Sequence, residues 1–297
     1  MVAKRYSIDK SFGLFSRVTP PLSRGVLMVA RAVLSVMPKG LRGGVRARRV
    51  QGQNFRALLI EPKDCAGTLP CLVYFHGGGF VFKAAGYHYR NTKNYCLGAR
   101  CKVLFVDYPL APKHKLPQIS AVCMAALRTV HLMAEEWRVD ADRIAVGGDS
   151  AGGYLAAEAA LQAQRQGVRK PCFAMLVYPV LDSRMNTASM KAFIDTPMWN
   201  ARLNKKMWDY CRSPALSPSE EDDVSGFPSA YIETAQFDCL HDEGAIFVAR
   251  LIEQGVEVEY NSTAATMHGF DIAKNSPVTK EAIKRRIAAL NAAFGKG

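Results

Sequence analysis

From Val50 onward, short continuous apolar runs alternate with longer segments that carry one apolar face. Runs such as "LPCLVYF", "CKVLFVDY", "RIAVGG" and "FAMLVYPV" are typical of strands buried on both faces. Between such runs, "QISAVCMAALRTVHLMAEEW" and "AGGYLAAEAALQAQRQ" repeat apolar residues at helical spacing. The alternation predicts an α/β fold, with a mostly parallel central sheet covered by helices on both faces.

Two segments fall outside this alternation. The first is residues 1–49, where "GVLMVARAVLSVMP" predicts an amphipathic helix with Arg31 in its middle. The second is an insertion between two strands, residues 183–225, which is rich in Met and Trp. Because insertions placed in this way often cover a site at the strand ends, we expect both segments to form a helical cap on a single domain spanning residues 1–297. An extra helical subdomain that only packs on the core is the alternative.

The charge of the chain is uneven. Its net charge is +13, and residues 1–49 hold eleven Lys or Arg against a single acid, Asp9. A basic segment of this kind can associate weakly with an anionic membrane surface or an acidic partner. The charges are interleaved with core-type residues, however, which favours a solvated helical surface. No nucleic-acid-binding motif accompanies them, so nucleic acid is not expected as a partner.

Composition narrows the remaining classes. No apolar run reaches the roughly 18 residues of a transmembrane helix, and the N-terminus lacks the pattern of a secretory signal. The eight cysteines contain no CxxC pair and mostly lie in apolar runs, which favours reduced thiols in a cytoplasmic protein. No cluster of Cys and His has the spacing of metal ligands, so the sequence predicts no metal.

Ser150 lies in "GDSAG", residues 148–152, between a predicted strand and a predicted helix. This setting of G-x-S-x-G is typical of a nucleophile elbow, a tight turn that exposes the serine hydroxyl above the sheet. A phosphate-binding loop is the alternative for these glycines. Asp149 stands where the second glycine of G-x-G-x-x-G would be, which argues against that alternative.

A serine hydroxyl needs a base, and His268 is the favoured candidate among the six histidines. It lies in "ATMHGFDI", between the last predicted strand and the last predicted helix. Asp238 ends the strand "AYIETAQFD" and could orient that base. Asp242 is the alternative, although its place at the start of "DEGAIFVARL" is typical of a helix N-terminus.

The triple glycine of "HGGGF" follows a buried strand, which is where an oxyanion hole could form. Glycine lets backbone N–H groups face a developing negative charge without obstruction, and the N–H of Ala151 lies next to the serine. We expect His76 to orient this loop by hydrogen bonding. A flexible turn is the alternative interpretation of the glycines.

Five motifs together resemble the hormone-sensitive-lipase-like branch of α/β-hydrolase esterases, in the order of that family. They are "HGGGF" at 76–80, "VDYPLAP" at 106–112, "DRIAVGGDSAGG" at 142–153, "SAYIETAQFDCLHDEG" at 229–244 and "MHGF" at 267–270. The resemblance implies an α/β-hydrolase fold with a helical cap, and hydrolysis of carboxylic esters without a cofactor. The nucleophile, acid and base of the family carry over to Ser150, Asp238 and His268, and its oxyanion donors to Gly78 and Gly79.

The sequence therefore predicts a serine esterase that acts, through an acyl-enzyme, on small-molecule esters with short- to medium-chain acyl groups. The side chains expected to line an apolar substrate pocket are Phe80, Phe82, Met198, Trp199 and Trp208. An amidase or deacetylase with the same machinery stays open as an alternative. So does a non-catalytic receptor for a small ligand, although the presence of His268 argues against it. The sequence leaves the oligomeric state open, a homodimer included.

Overall fold

A computed structural model describes residues 6–37, 39–52, 55–211 and 217–295. Its strands are β1 Val45–Gln51, β2 Arg56–Pro62, β3 Leu69–Phe75, β4 Lys102–Asp107, β5 Val139–Asp149, β6 Ala174–Val177, β7 Ala230–Phe237 and β8 Val258–Met267. Within the described residues they form one eight-stranded sheet in the order β1-β2-β4-β3-β5-β6-β7-β8. Strand β2 pairs antiparallel with β1 and with β4, and the other neighbouring strands run parallel.

Helices connect most of these strands. They are α1 Arg24–Val36, α2 Gly86–Gly98, α3 Leu116–Leu132, α4 Ala151–Arg165, α5 Ala188–Ala192, α6 Ala201–Cys211, α7 His241–Glu253 and α8 Pro277–Ala293. Short 3-10 helices span Lys10–Ser16, Pro218–Glu220 and Phe270–Ile272. In the part of the chain given above, no helix has both the length and the apolar character needed to cross a membrane.

Two hydrophobic cores lie on opposite faces of the sheet. Strand β3 is buried along its whole length, and its side chains alternate between the two cores. Val73 and Phe75 belong to the core that α3, α4 and α7 cover, whereas Leu72 and Tyr74 belong to the core under α2 and α8. The predicted α/β architecture is therefore confirmed, because continuous apolar strands are buried by helices on both sides.

The N-terminal segment and the mid-chain insertion contact each other. The amide of Met198 donates to the carbonyl of Val18 over 2.8 Å, and the hydroxyl of Tyr210 donates to the carbonyl of Leu22. The predicted amphipathic helix is present as α1, whereas parts of both predicted cap segments (residues 1–5, 38 and 212–216) lie outside the described residues. The first segment also ends earlier than expected, because Val45 already belongs to the edge strand β1 and pairs with Pro62.

The turn from β5 into α4 is packed directly against the end of β3. A Cβ atom at Gly152 would lie 1.9 Å from the carbonyl oxygen of Phe75, and one at Gly148 would lie 2.5 Å from the same oxygen. Both distances are far below van der Waals contact, and the obstacle is backbone rather than a mobile side chain. The two glycines that flank Ser150 are therefore required for the helix to start so close to the sheet.

We expect Gly152→Ala to destabilise the fold by about 3 kcal/mol or more, because backbone must move to admit the methyl group. Gly25→Ala in α1 is the matched control, since a Cβ there has no described heavy atom within 4 Å. Urea denaturation followed by circular dichroism measures both variants. Equal unfolding midpoints for the two would contradict the close packing of the turn.

Candidate active site

Ser150 occupies the single residue between β5 and α4, in a backbone conformation that side chains rarely adopt. Its φ is 55° and its ψ is −120°. Its amide donates to the carbonyl of Val177 on the neighbouring strand β6, over 2.9 Å. This strained geometry is that of a nucleophile elbow, in which the turn presents the hydroxyl at the carboxyl edge of the sheet.

His268 bridges Ser150 and Asp238 by hydrogen bonds. Its Nδ1 lies 2.6 Å from Oδ2 of Asp238, and its Nε2 lies 2.9 Å from Oγ of Ser150. Because the carboxylate can only accept, Nδ1 carries the proton and Nε2 is left to accept from the serine hydroxyl. The other carboxylate oxygen of Asp238 accepts from the amide of Leu240 over 3.0 Å. The arrangement can take the proton from Ser150 and stabilise the charged imidazole that results.

Asp238 and His268 both follow directly on the ends of paired strands. Phe237 at the end of β7 pairs in parallel with Met267 at the end of β8. Strand β8 continues through "NSTAATM" to Met267, beyond an irregularity near Ala265. It does so because β7 is long enough to keep pairing with it. Asp238 and His268, which follow these two strands, therefore lie side by side at the same edge of the sheet.

A buried ion cluster anchors the segment that follows His268. The guanidinium of Arg286, which is fully buried on α8, lies 2.7 Å from Glu233 and 2.7 Å from Asp271. The hydroxyl of Tyr178 donates to Asp271 over 2.7 Å, and the Tyr178 ring packs edge-on against the imidazole of His268. These contacts hold the histidine loop against strands β6 and β7.

The glycine loop after β3 presents unpaired amides to the same place. Gly78 and Gly79 have φ values of 114° and 57°, which glycine adopts without strain. Within residues 6–37, 39–52, 55–211 and 217–295, neither amide has a hydrogen-bond acceptor. Ala151 is the first residue of α4, where backbone N–H groups have no partner inside the helix. Gly78, Gly79 and Ser150 line one cavity, and Ala151 is the residue next to Ser150 in the chain.

Asp149, whose role the sequence does not indicate, holds the glycine loop in place. Its Oδ1 accepts from the amide of Gly77 over 3.0 Å and from the hydroxyl of Tyr74 over 2.6 Å. Its Oδ2 lies 3.1 Å from Nε2 of His88. Burial raises the pKa of this carboxyl, but the interaction with His88 and the hydrogen bonds from His88 and Tyr74 outweigh that effect and hold the pKa at about 2. The carboxylate is therefore ionised at neutral pH.

His76 braces the other side of the loop, as expected. Its Nδ1 donates to the carbonyl of Gly77 over 2.7 Å, and its ring stacks on Tyr108 at 4.4 Å. Burial, aided by the nearby His88, lowers the pKa of His76 to about 3, so the ring is neutral. His88 was missed by the sequence analysis, because no local pattern connects a helical histidine with an aspartate 61 residues away.

A cavity of about 330 Å³ opens beside Ser150 and His268. Of the five side chains predicted to line it, Phe82, Met198 and Trp199 do so. Helix α1 contributes apolar residues that the sequence did not single out: Ala30, Val33 and Leu34. The walls are therefore mostly hydrocarbon.

The prediction that Phe80 and Trp208 line the pocket is wrong for this cavity. Phe80 is fully buried, and its ring packs against Tyr154 of α4 at 5.6 Å and against Trp208 at 6.3 Å. The positive φ of Phe80, 58°, accompanies a turn of the chain that takes this side chain into the core. Trp208 of α6 belongs to the same core, with its ring 6.0 Å from that of Tyr154.

Asp242, the alternative acid, lies in the first turn of α7, and His268 is hydrogen-bonded to Asp238 instead. Its carboxylate accepts from the amide of Ser189 over 2.7 Å and contacts the neighbouring His241. The sequence expectation that it starts a helix is confirmed. Across the described part of the chain, no group of three or more His, Cys, Asp or Glu side chains is arranged to hold a metal ion.

Comparison with known proteins agrees with this fold. A family model described as the alpha/beta hydrolase fold matches residues 72–272. The carboxylesterase NlhH of Mycobacterium tuberculosis is 34% identical over 244 residues, which cover 78% of this chain and 76% of that protein. Among solved structures, the esterase LipW of Mycobacterium marinum superposes with a TM-score of 0.90 at 26% identity, covering 97% of this chain and 96% of its own. A bacterial heroin esterase superposes with a TM-score of 0.86 at 30% identity, covering 97% and 98%.

The matched region contains Ser150, Asp238 and His268, together with the glycine loop. The relative from Mycobacterium tuberculosis shares more than three quarters of its length with this chain. The sequence motifs, the parallel sheet and these similarities therefore lead to one conclusion: the chain belongs to the hormone-sensitive-lipase-like family of α/β-hydrolase esterases, serine hydrolases that cleave carboxylic esters.

Proposed function

We propose that the protein hydrolyses carboxylic esters with short- to medium-chain acyl groups, with Ser150 as nucleophile, His268 as base and Asp238 as the acid that orients it. The observation that carries this proposal is the pair of hydrogen bonds of 2.6 Å and 2.9 Å that join the three side chains. All three are buried, and Ser150 and His268 line a cavity that admits a small ligand. No cofactor takes part in the proposed reaction.

In the first step, Nε2 of His268 takes the proton of Ser150 as Oγ attacks the ester carbonyl carbon. The negative charge moves to the carbonyl oxygen, where the amides of Gly78, Gly79 and Ala151 donate hydrogen bonds to it. Asp238 stabilises the imidazolium without taking its proton. The bond to the alcohol then breaks, and His268 passes the proton to the departing oxygen.

In the second step, His268 accepts a proton from a water molecule that attacks the acyl-serine. The oxyanion is held by the same amides, the bond between the acyl carbon and Oγ breaks, and the proton returns to Ser150. The α1 residues and the insertion residues Met198 and Trp199 act as a cap, because both line the cavity above the serine. Their apolar surface favours a hydrocarbon group of the substrate and excludes bulk water.

Ser150→Ala should lower kcat/KM for p-nitrophenyl butyrate by at least about 10,000-fold, since loss of a triad nucleophile removes the covalent route. Ser7→Ala, at an exposed position, is the control and should retain turnover. Labelling with a fluorophosphonate probe should be lost in the first variant and kept in the second. Undiminished hydrolysis by Ser150→Ala would refute the proposed nucleophile.

The size of the cavity predicts an acyl-chain preference. A volume of about 330 Å³ lies at the lower end of the about 300–1,000 Å³ typical of ligand sites, so p-nitrophenyl butyrate should exceed p-nitrophenyl laurate in kcat/KM by at least about tenfold. Trp199→Phe enlarges the cavity and should shift the optimum toward longer chains. Trp208→Phe is the matched control outside the cavity and should leave the optimum in place. The same shift in both variants would contradict the assignment of the cavity walls.

Asp149→Asn should lower kcat by about 10- to 100-fold with little change in KM, because a displaced glycine loop weakens hydrogen bonds made chiefly to the transition state. Asp142→Asn, an exposed carboxylate on β5, is the control for loss of one charge. Steady-state kinetics on the folded variants separates the two constants. An effect confined to KM would show that Asp149 acts on substrate binding instead.

A further inference from the structure

A groove rich in positive charge lies next to the active-site cavity. It consists of two neighbouring cavities of about 1020 Å³ and about 560 Å³, which share Gln51, Arg56, Lys83 and Asp107 in their walls. We call this pair of cavities the basic groove. Its Lys and Arg residues are Arg31, Lys39, Arg49, Arg56, Lys83 and Lys113.

The cations of the basic groove are not neutralised by the described part of the protein. Asp107 is the one carboxylate among the described residues that line it, and none of the six cations forms an ion pair with a described carboxylate. Elsewhere on the sheet Lys102 is paired with Glu61 over 2.8 Å. Burial lowers the pKa of Lys39. Asp107 acts to raise this pKa, whereas the positive charges of Arg49 and Lys83 lower it further. The groove therefore carries a net positive field.

Lys83 connects this groove with the serine. It lines the Ser150 cavity and both cavities of the groove, and Leu34 lines the Ser150 cavity and the smaller of the two. Among the described residues around the Ser150 cavity, Lys83 is the single Lys, Arg, Asp or Glu. Its backbone directly follows the turn in which the amide of Phe82 donates to the carbonyl of Gly78 over 2.9 Å, and its side chain is exposed.

The ammonium group of Lys83 has donors to spare. Its Nζ donates to Oγ of Ser35 on α1 over 2.7 Å, and that hydroxyl in turn donates to the carbonyl of Arg31. An ammonium has three N–H donors, so two are left for a ligand. The guanidinium of Arg31, by contrast, donates to the carbonyls of Val81 and Ala111.

We propose that Lys83, at the junction of the apolar cavity and the basic groove, selects esters that carry a carboxylate. The inference rests on the proposed function. The ester carbonyl reaches Ser150, the hydrocarbon part contacts Phe82 and Trp199, and the free carboxylate extends toward Lys83 and the groove. The substrate class is therefore a carboxylate-bearing ester, with the acid group on either the alcohol or the acyl side.

Matched substrate pairs test this selection. On the alcohol side the pair is 3-carboxyphenyl butyrate and 3-carbamoylphenyl butyrate, which are alike in shape and differ in charge. On the acyl side the pair is the p-nitrophenyl monoester of adipic acid and that of adipamic acid. The ratio of kcat/KM within a pair cancels differences in active-enzyme concentration. We expect a preference for the carboxylate of about threefold to tenfold on one side, the size expected of a partly solvated charge pair in a positive field.

Substitutions of Lys83 and changes of ionic strength test whether this lysine causes the preference. Lys83→Gln should bring the ratio close to one, and Lys83→Glu should reverse it. Lys280→Gln, which removes an exposed lysine of α8, is the control and should keep the wild-type ratio. Raising the ionic strength from about 0.02 M to about 0.5 M should erase the preference, because the Debye length shortens severalfold over that range.

The possible outcomes distinguish a failure of this inference from a failure of the proposed function. A ratio of one for the wild type in both pairs, or a preference that survives Lys83→Gln, would overturn the selection of carboxylates while p-nitrophenyl butyrate is still hydrolysed. If no ester in the set is turned over, the proposed esterase reaction fails and this inference fails with it. A preference in one pair alone supports the inference and assigns the carboxylate to the alcohol or the acyl side.

Discussion

The contact between the first turn of α4 and the end of β3 is the constraint on which the site depends. Gly148 and Gly152 let the chain reverse direction so near the carbonyl of Phe75 that no side chain fits between them. The price of this packing is the positive φ of Ser150, which the surrounding structure holds in place. The glycine loop begins just after β3. The same close packing therefore places this loop beside Ser150.

Two buried carboxylates near Ser150 have different hydrogen-bond partners. Asp238 orients His268, whereas Asp149 holds the amide of Gly77 and is itself held by Tyr74 and His88. In a buried environment such hydrogen bonds are stronger than in water and a lost partner is costly, so each network fixes a single geometry. In the proposed reaction the amides of Gly78, Gly79 and Ala151 are in place before the substrate arrives, so little reorganisation is needed.

In the proposed function, the cap selects which substrates reach Ser150. Helix α1 contributes apolar residues to the cavity on one side and contributes Ser35, the partner of Lys83, on the other. One helix thus borders both a hydrocarbon cavity and a basic groove. The positive charge that the sequence concentrates in its first 49 residues is partly gathered there, through Arg31, Lys39 and Arg49.

The sequence by itself determined the fold class and the elements that end at the site. The spacing of apolar residues and the residues that form turns are local properties of a sequence. The carboxyl ends of parallel strands share one edge of the sheet. Ser150, Asp238 and His268 could therefore be proposed from their positions directly after strands. Local patterns carried no information on which way a side chain points after a turn, and Phe80 and Trp208 were therefore misplaced. The pairing of Asp149 with His88, the continuation of β8 up to His268 and the meeting of Lys83 with the cavity were decided by the tertiary structure. Each depends on contacts between residues distant in the chain, and those contacts exist only once the helices are packed on the sheet.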